Sequence, residues 1–264
     1  MADLLTRNDD GGIATLTLAS PANLNALSRA MLLALDAALV DLERDDSIRV
    51  VILRAEGRNF CAGHDLKEIQ AARAAPDDGA AEIASLFALC ARVMQRLPAL
   101  PQPVIASVQG VATAAGCQLA CSCDLIVASE TARFGVNGIN IGLFCTTPMV
   151  ALTRKLAPAA AFELLTTGEF LPAPRAHALG LVNRLAAPDA LETETRALAE
   201  TLAAKLPQAL RLGKRAFQAQ LGLPLAQAYA TASPLMVENA LMPDTAEGIQ
   251  AFLERRPPDW PTIS

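Results

Sequence analysis

The sequence predicts an α/β fold that gives way to α, an α/β core followed by a helical C-terminal part. Three observations carry this. A strand pattern, a helical stripe and a second strand pattern follow one another from Gly12 to Ala55; further apolar strand runs flank a Gly- and Ala-rich segment between Val104 and Ser129; and beyond about residue 146 the pattern is almost wholly helical.

The alternating segment Gly12 to Ser20 and the β-branched run Arg49 to Ala55 read as strands, the second buried on both faces. Between them a helix begins near Ser28. Its stripe of Met31, Ala34, Leu35, Ala38, Leu39 and Leu42 keeps the i, i+3, i+4 spacing, and the charged run DLERDD closes it. A loop from Glu56 to His64 leads into a polar, Ala-rich stretch, where Pro76-Asp77-Asp78-Gly79 is expected to be the most mobile segment. A helix from Ala80 to Leu97 follows, stopped by Pro98, Pro101 and Pro103. Val104 to Val108 reads as a buried strand, Gly110 to Ala115 as a small-residue loop, Gly116 to Ser122 as a short helix and Leu125 to Ser129 as a strand. Pro188 marks the expected boundary, giving a core of residues 1–188 and a lobe of residues 189–264 with helices near 189–206, 208–221, 225–240 and 244–255. These helices either cap the core or serve oligomerisation, and the pattern favours neither.

Composition narrows the function classes. The 264 residues carry 22 Lys and Arg against 27 Asp and Glu, a net charge of −5, and no basic block exceeds Arg255-Arg256, so nucleic acid is not an expected partner. No run reaches the roughly 18 apolar residues of a membrane span. The first residues, MADLLTRNDDGG, lack an apolar segment after basic residues, and a soluble cytoplasmic protein is expected. Six cysteines at 61, 90, 117, 121, 123 and 145 lack disulfide spacing and contain no CxxC, and His64 and His177 stand far from the trio at 117 to 123. They read as small buried hydrophobes in a reducing compartment, and no metal is expected.

Two loops place small residues between a strand and a helix. In QPVIASVQGVATAAGCQLACSCD (102–124) the helix begins near Gly116, and its free N–H groups suit a carbonyl oxygen that gains negative charge; tight strand–helix packing selects the same residues equally well. In RNFCAGHDLK (58–67) His64 follows Gly63. Its ring lacks an identifiable partner for base catalysis, so its backbone N–H is the better candidate.

FCAGHDLKE (60–68) and PVIASVQGVATAAGCQLACSCD (103–124) resemble the two signature segments of the crotonase superfamily of enoyl-CoA hydratases and isomerases. The likeness extends through ASPANLNALS (19–28) and ARFGVNGINIGLF (132–144) to EGIQAFLERRPPDW (247–260). It implies a crotonase-like spiral of strand-strand-helix repeats with a C-terminal helical oligomerisation lobe, self-associating to a trimer or hexamer. It also implies a CoA thioester as ligand, coenzyme A entering as part of the substrate, with no permanently bound cofactor. The thioester oxygen would lie between the N–H groups of His64 and Ala115. The pantetheine would pass Ala26, the adenine end and thioester Ala62, Gly63, Asp65, Leu66 and Lys67, with Gly116 and Leu143 also at the ligand; Phe252 and Arg255 would reach a neighbouring subunit's CoA. A solvated charge on a terminal helix is an equal reading of Arg255.

Hydratases of this superfamily use two glutamates, and the matching positions here are Gln118 and Gly138. Neither titrates, and each missing acid or base is worth ~10² to 10⁴ in rate, so very slow hydration is expected. No Asp or Glu occurs from 131 to 162 to substitute. Cys145 stands near a position where some branches carry an aspartate, but a structural thiol is the favoured reading. The combination resembles most the branch typified by enoyl-CoA hydratase domain-containing protein 3, which shares the glutamine and lacks the glutamate pair. Two readings stand open. In one, the oxyanion hole drives an enolate reaction without a side-chain base, such as decarboxylation, with Gln118, Asn137 or Asn140 placing water or substrate. In the other, the protein is a catalytically silent acyl-CoA binder or scaffold. If only the two acids separate this site from a hydratase, Gln118→Glu with Gly138→Glu is expected to raise hydration by orders of magnitude.

Overall fold

The computed structural model describes residues 3–260. Strand β1 (Leu5–Asp10) turns through Gly11 and Gly12, at φ 58° and 75°, into antiparallel β2 (Ile13–Leu18). Two successive positive φ values make this a hairpin turn that matches strand twist. The composition of β1 hid it: LTRNDD is polar and mostly exposed, as suits an edge strand, and has no apolar alternation.

Helix α1 (Arg29–Glu43) is capped by Ser28, whose Oγ accepts the Met31 N–H, and buries Met31, Leu32, Leu35, Leu39 and Leu42. Then come β3 (Val50–Ala55), α2 (Leu66–Ala72) and α3 (Ala80–Ala99). The Pro76–Gly79 segment is a hydrogen-bonded turn in which the Asp77 carboxylate accepts the N–H groups of Gly79 and Ala81. Pro98 lies inside α3 rather than ending it, since Leu100 N–H still reaches Arg96 O. The chain continues through β4 (Val104–Val108), β5 (Val111–Thr113), α4 (Ala115–Ser122), β6 (Leu125–Ser129), β7 (Arg133–Gly135), a 3-10 turn (Asn137–Ile141), α5 (Thr146–Leu152), α6 (Pro158–Thr167), β8 (Phe170–Pro172), α7 (Ala173–Ala178) and β9 (Arg184–Ala186). It ends with α8 (Leu191–Ala203), α9 (Pro207–Gln220), α10 (Leu225–Ala240) and α11 (Pro243–Glu254). β5, β7, β8 and β9, three residues each, are too short for a periodicity to register, so the small-residue loop and the helical region predicted there each contain strands.

The main sheet has the order β1-β2-β3-β4-β6-β9, parallel from β2 onward, and β5-β7-β8 form a smaller sheet. Strand periodicity divides the core. Leu16, Val51, Leu53, Ala106 and Ile126 face α1, α3 and α4, while Ile13, Val50, Ile52, Ile105 and Val127 face Leu191, Leu198 and Ala199 of α8. α8 therefore caps the core. α10 has no buried residue among those described.

One ammonium group ties α9 to the core. Lys214 Nζ donates to Leu97 O (3.0 Å), Gln102 O (2.8 Å) and Asp124 Oδ2 (2.6 Å), and Asp124 Oδ2 also accepts the Val104 N–H. Both side chains are largely buried, so burial holds the lysine's pKa below its ordinary value despite the carboxylate. Lys214→Ala strands Asp124 and two carbonyls, and is expected to cost about 3 kcal/mol in urea unfolding. Lys214→Arg should not restore the loss, because a planar fork does not fit three converging acceptors.

Candidate functional site

Strands β2, β3 and β4 are parallel, so the loops that follow them emerge at one end of the sheet, where open α/β sheets place ligands. These loops hydrogen-bond to one another. Cys61 N–H donates to Val111 O (3.1 Å), Thr113 N–H to Cys61 O (3.0 Å), and Leu27 N–H to Gly63 O (2.8 Å). Gly63, at φ +90°, sits so close to the third loop that a Cβ there would lie 3.0 Å from Ala114 Cβ and 3.2 Å from Ala115 N. The two loops that the sequence singled out thus converge.

Among the described residues neither the His64 N–H nor the Ala115 N–H has a protein acceptor. Ala115 begins α4, one residue earlier than the sequence suggested, so its N–H is one of the orphan donors of a helix start. Ala114 turns the chain into that helix at φ 49°, ψ −121°, a conformation rare for a residue with a Cβ. Strain is thus stored beside the free donor, where no sequence signal marked it.

Gly116 does a packing job: a Cβ there would meet Cys61 O at 2.2 Å, so α4 starts directly against the first loop. The ring of His64 is turned away from base catalysis. Its Nδ1–H donates to Leu27 O (3.3 Å), the ring packs edge-on against Phe87 (centroids 5.1 Å apart), and Nε2 is buried without a partner. Burial holds its pKa below 6.5, against the smaller opposing pull of the Leu27 carbonyl.

Gln118, one turn into α4, is 4% exposed, and its Oε1 has no partner. Gly138 lies buried in the 3-10 turn, where an added Cβ would fall 2.3 Å from Leu143 O and 2.9 Å from Cys145 Sγ. Burial raises the Cys145 thiol above its ordinary pKa, opposing nucleophilic use. All six cysteines are free and buried. Asn137 Oδ1 accepts the Thr113 hydroxyl (2.5 Å) and Asn140 Nδ2 donates to Gly168 O (3.3 Å), so both amides are partly committed to structure. No cluster of three or more metal-binding side chains occurs among the described residues, and none of their helices is long and apolar enough to cross a membrane.

The remaining site residues divide. Ala26 is buried and Ala62 half-buried beside the converging loops. Asp65 caps α2, accepting the Lys67 N–H and the Asn23 amide, which lower its pKa; Leu66 and Lys67 are exposed. Leu143 is largely exposed, with its N–H on Gly138 O (2.9 Å). Phe252, 81% exposed, and Arg255 stand on or just past α11. Among the described residues Arg255 has no ion pair, whereas Arg256 is held by Glu247 and Glu254.

Two expectations follow. The gain anticipated from sequence for Gln118→Glu with Gly138→Glu is not expected in this fold, because the Leu143 carbonyl occupies the space a side chain at 138 needs. Gly138→Glu alone should cost about 2 kcal/mol in urea unfolding, by overpacking, with crotonyl-CoA loss unchanged by the pair. The second concerns His64. From about pH 6.5 down to its depressed folded value, the unfolded chain binds a proton the folded chain refuses, so stability falls with pH there. His64→Gln lacks that slope, and urea midpoints at several pH values should show wild type losing stability relative to the variant on acidification.

Comparison with known proteins gives the family and the fold. The profile of the family described as Enoyl-CoA hydratase/isomerase matches residues 8–262. The mouse (Mus musculus) enoyl-CoA hydratase domain-containing protein 3, mitochondrial, is 41% identical over 97% of this chain and 83% of its own length. A crystal structure of an enoyl-CoA hydratase from Mycobacterium smegmatis superposes with a TM-score of 0.94 at 50% identity, covering 98% of this chain and 99% of that one. That of human enoyl-CoA hydratase domain-containing protein 3 gives 0.92 at 39% identity, covering 98% and 100%. The spiral α/β core, the helical C-terminal part and these matches along nearly the whole chain make this protein a member of the enoyl-CoA hydratase/isomerase family with the crotonase fold.

Proposed function

We propose that the protein binds a CoA thioester with its carbonyl oxygen between the N–H groups of His64 and Ala115, and promotes an enolate-forming step that needs no side-chain base. The observation that carries this reading is the pair of unpaired N–H groups on two loops locked together. Two such donors stabilise the negative oxygen of an enolate, and each is worth ~3 kcal/mol in the transition state. Decarboxylation of a malonyl-type thioester suits this site best. The bond from the α-carbon to the carboxylate breaks, its electron pair becomes the enolate, carbon dioxide leaves, and the carbanion then takes a proton from water. Gln118 would orient the acyl group or that water through its amide.

Silent binding is the second reading, and the filled space at Gly138 supports it: the Leu143 carbonyl and the Cys145 thiol leave no room there for an acidic side chain. In both readings Ala26 and the Ala62 to Lys67 segment line the path of the CoA. The exposed apolar side chains Phe217, Leu225, Tyr229, Met236 and Leu241 on α9, α10 and the residue after α10 support self-association to a trimer or hexamer. Phe252 and the unpaired Arg255 would then meet a neighbouring subunit's CoA.

Calorimetry and turnover with acetyl, malonyl, methylmalonyl, enoyl and aryl CoA thioesters test the proposal, with light scattering on the same samples. Expected are binding of thioesters by a trimer or hexamer, carbon dioxide release from a malonyl-type thioester, and negligible crotonyl-CoA hydration. Binding without turnover of any thioester selects the silent binder, and no binding by the folded protein removes both readings.

A further inference from the structure

Asn25 is a buried polar residue that bonds to Glu56, Asn59 and Cys61 in the chain leading to His64. It is fully buried and sits at φ 53°, a left-handed position that asparagine tolerates. Its Oδ1 accepts the Ser20 N–H (2.9 Å), and its Nδ2 donates to Glu56 O (2.9 Å) and Asn59 O (3.0 Å). Its own carbonyl accepts the Cys61 thiol (3.1 Å), and burial pushes that thiol up to about 12, so it remains a donor.

On either side the backbone continues the same seam. Ala62 N–H donates to Leu24 O, and Leu27 pairs with Gly63 and with the His64 ring. From the far side the seam passes to the third loop, where Val111 N–H donates to Asn59 Oδ1 and Gln109 Nε2 to Ala55 O and Gly57 O. The side chain of Asn25 thus bridges Ser20 to the carbonyls of Glu56 and Asn59, in the stretch that leads to His64.

We infer that Asn25 is a positioning residue for the oxyanion hole: its amide, and not the packing of the loops alone, holds the His64 N–H in register with the Ala115 N–H. The inference rests on the proposal that a thioester carbonyl occupies that hole. Replacement by aspartate keeps the size and the acceptor but removes both N–H donors and sets a carboxylate against the carbonyls of Glu56 and Asn59.

A matched control lies at the opposite end of the sheet. Gln102, just before β4, is equally buried, and its Nε2 also donates to two carbonyls, Leu42 O (2.8 Å) and Asp45 O (3.1 Å). Asn25→Asp and Gln102→Glu each remove an amide that donates to two carbonyls at like burial, one near the hole and one away from it, though Gln102 Oε1, unlike Asn25 Oδ1, has no partner.

Hydrogen exchange of the ligand-free protein, read by mass spectrometry, is the first measurement. Asn25→Asp should speed exchange of the amides of residues 59–64 by about tenfold, while Gln102→Glu leaves them unchanged. Isotope-edited infrared spectroscopy of bound acetyl-CoA labelled at the carbonyl carbon is the second. The carbonyl frequency should fall on binding to wild type and to Gln102→Glu, and most of that fall should vanish in Asn25→Asp. Should Asn25→Asp fail to fold, Asn25→Ser, too short to span Ser20 and the two carbonyls, takes its place in both measurements. Unchanged exchange in the Asn25 variant, or equal acceleration in Gln102→Glu, overturns the inference whether or not a ligand binds. Absence of a frequency fall in wild type overturns the thioester reading instead, and leaves the exchange result to decide the role of Asn25.

Discussion

Lateral hydrogen bonding among three loops is the constraint on which the site depends. The loops follow β2, β3 and β4, which are parallel, so all three leave the sheet at one end and lie side by side. A loop there has lost its ladder partners and needs others. It finds them in its neighbours: Leu27 with Gly63, and Cys61 with Val111 and Thr113. Two donors, on His64 and Ala115, remain over. Small residues make the closeness possible, since Gly63 and Gly116 both stand where a Cβ would press on the adjoining loop.

Around those donors the site is electrically quiet. Burial disfavours the charged forms of both the His64 ring, which is tied to Leu27, and the Cys145 thiol. Gln118 offers an amide, and a backbone carbonyl and a sulfur crowd Gly138. Polarising a carbonyl with fixed N–H dipoles needs no proton donor or acceptor, and it is stronger away from water. Moving a proton to or from carbon is a different task, for which these side chains are poorly suited.

The C-terminal helices split between two tasks. α8 covers the second face of the sheet through Leu191, Leu198 and Ala199, so a strand pattern buried on both faces, as in Val50–Ala55, is satisfied within one chain. α9 to α11 extend beyond it, and Lys214 helps to anchor α9 by reaching three acceptors at the base of the core. A lysine can do this because its long stem is apolar while its ammonium has three donors to place.

The sequence by itself determined much of this protein. Periodicity located the long elements, since α1 and β3 repeat their burial often enough for a stripe to register, and the paired segments around His64 and Gln118 named the family. It also showed a glutamine at 118 and a glycine at 138, because residue identity is a property of the chain alone. What only the tertiary structure decided is how backbone groups meet: that β1 exists without an apolar pattern, that Ala114 is strained, that Gly138 has no room for a side chain, and that Asn25 spans Ser20, Glu56 and Asn59. Each of these is a matter of backbone angles or of distances in the folded chain, and a linear order of side chains carries no record of them.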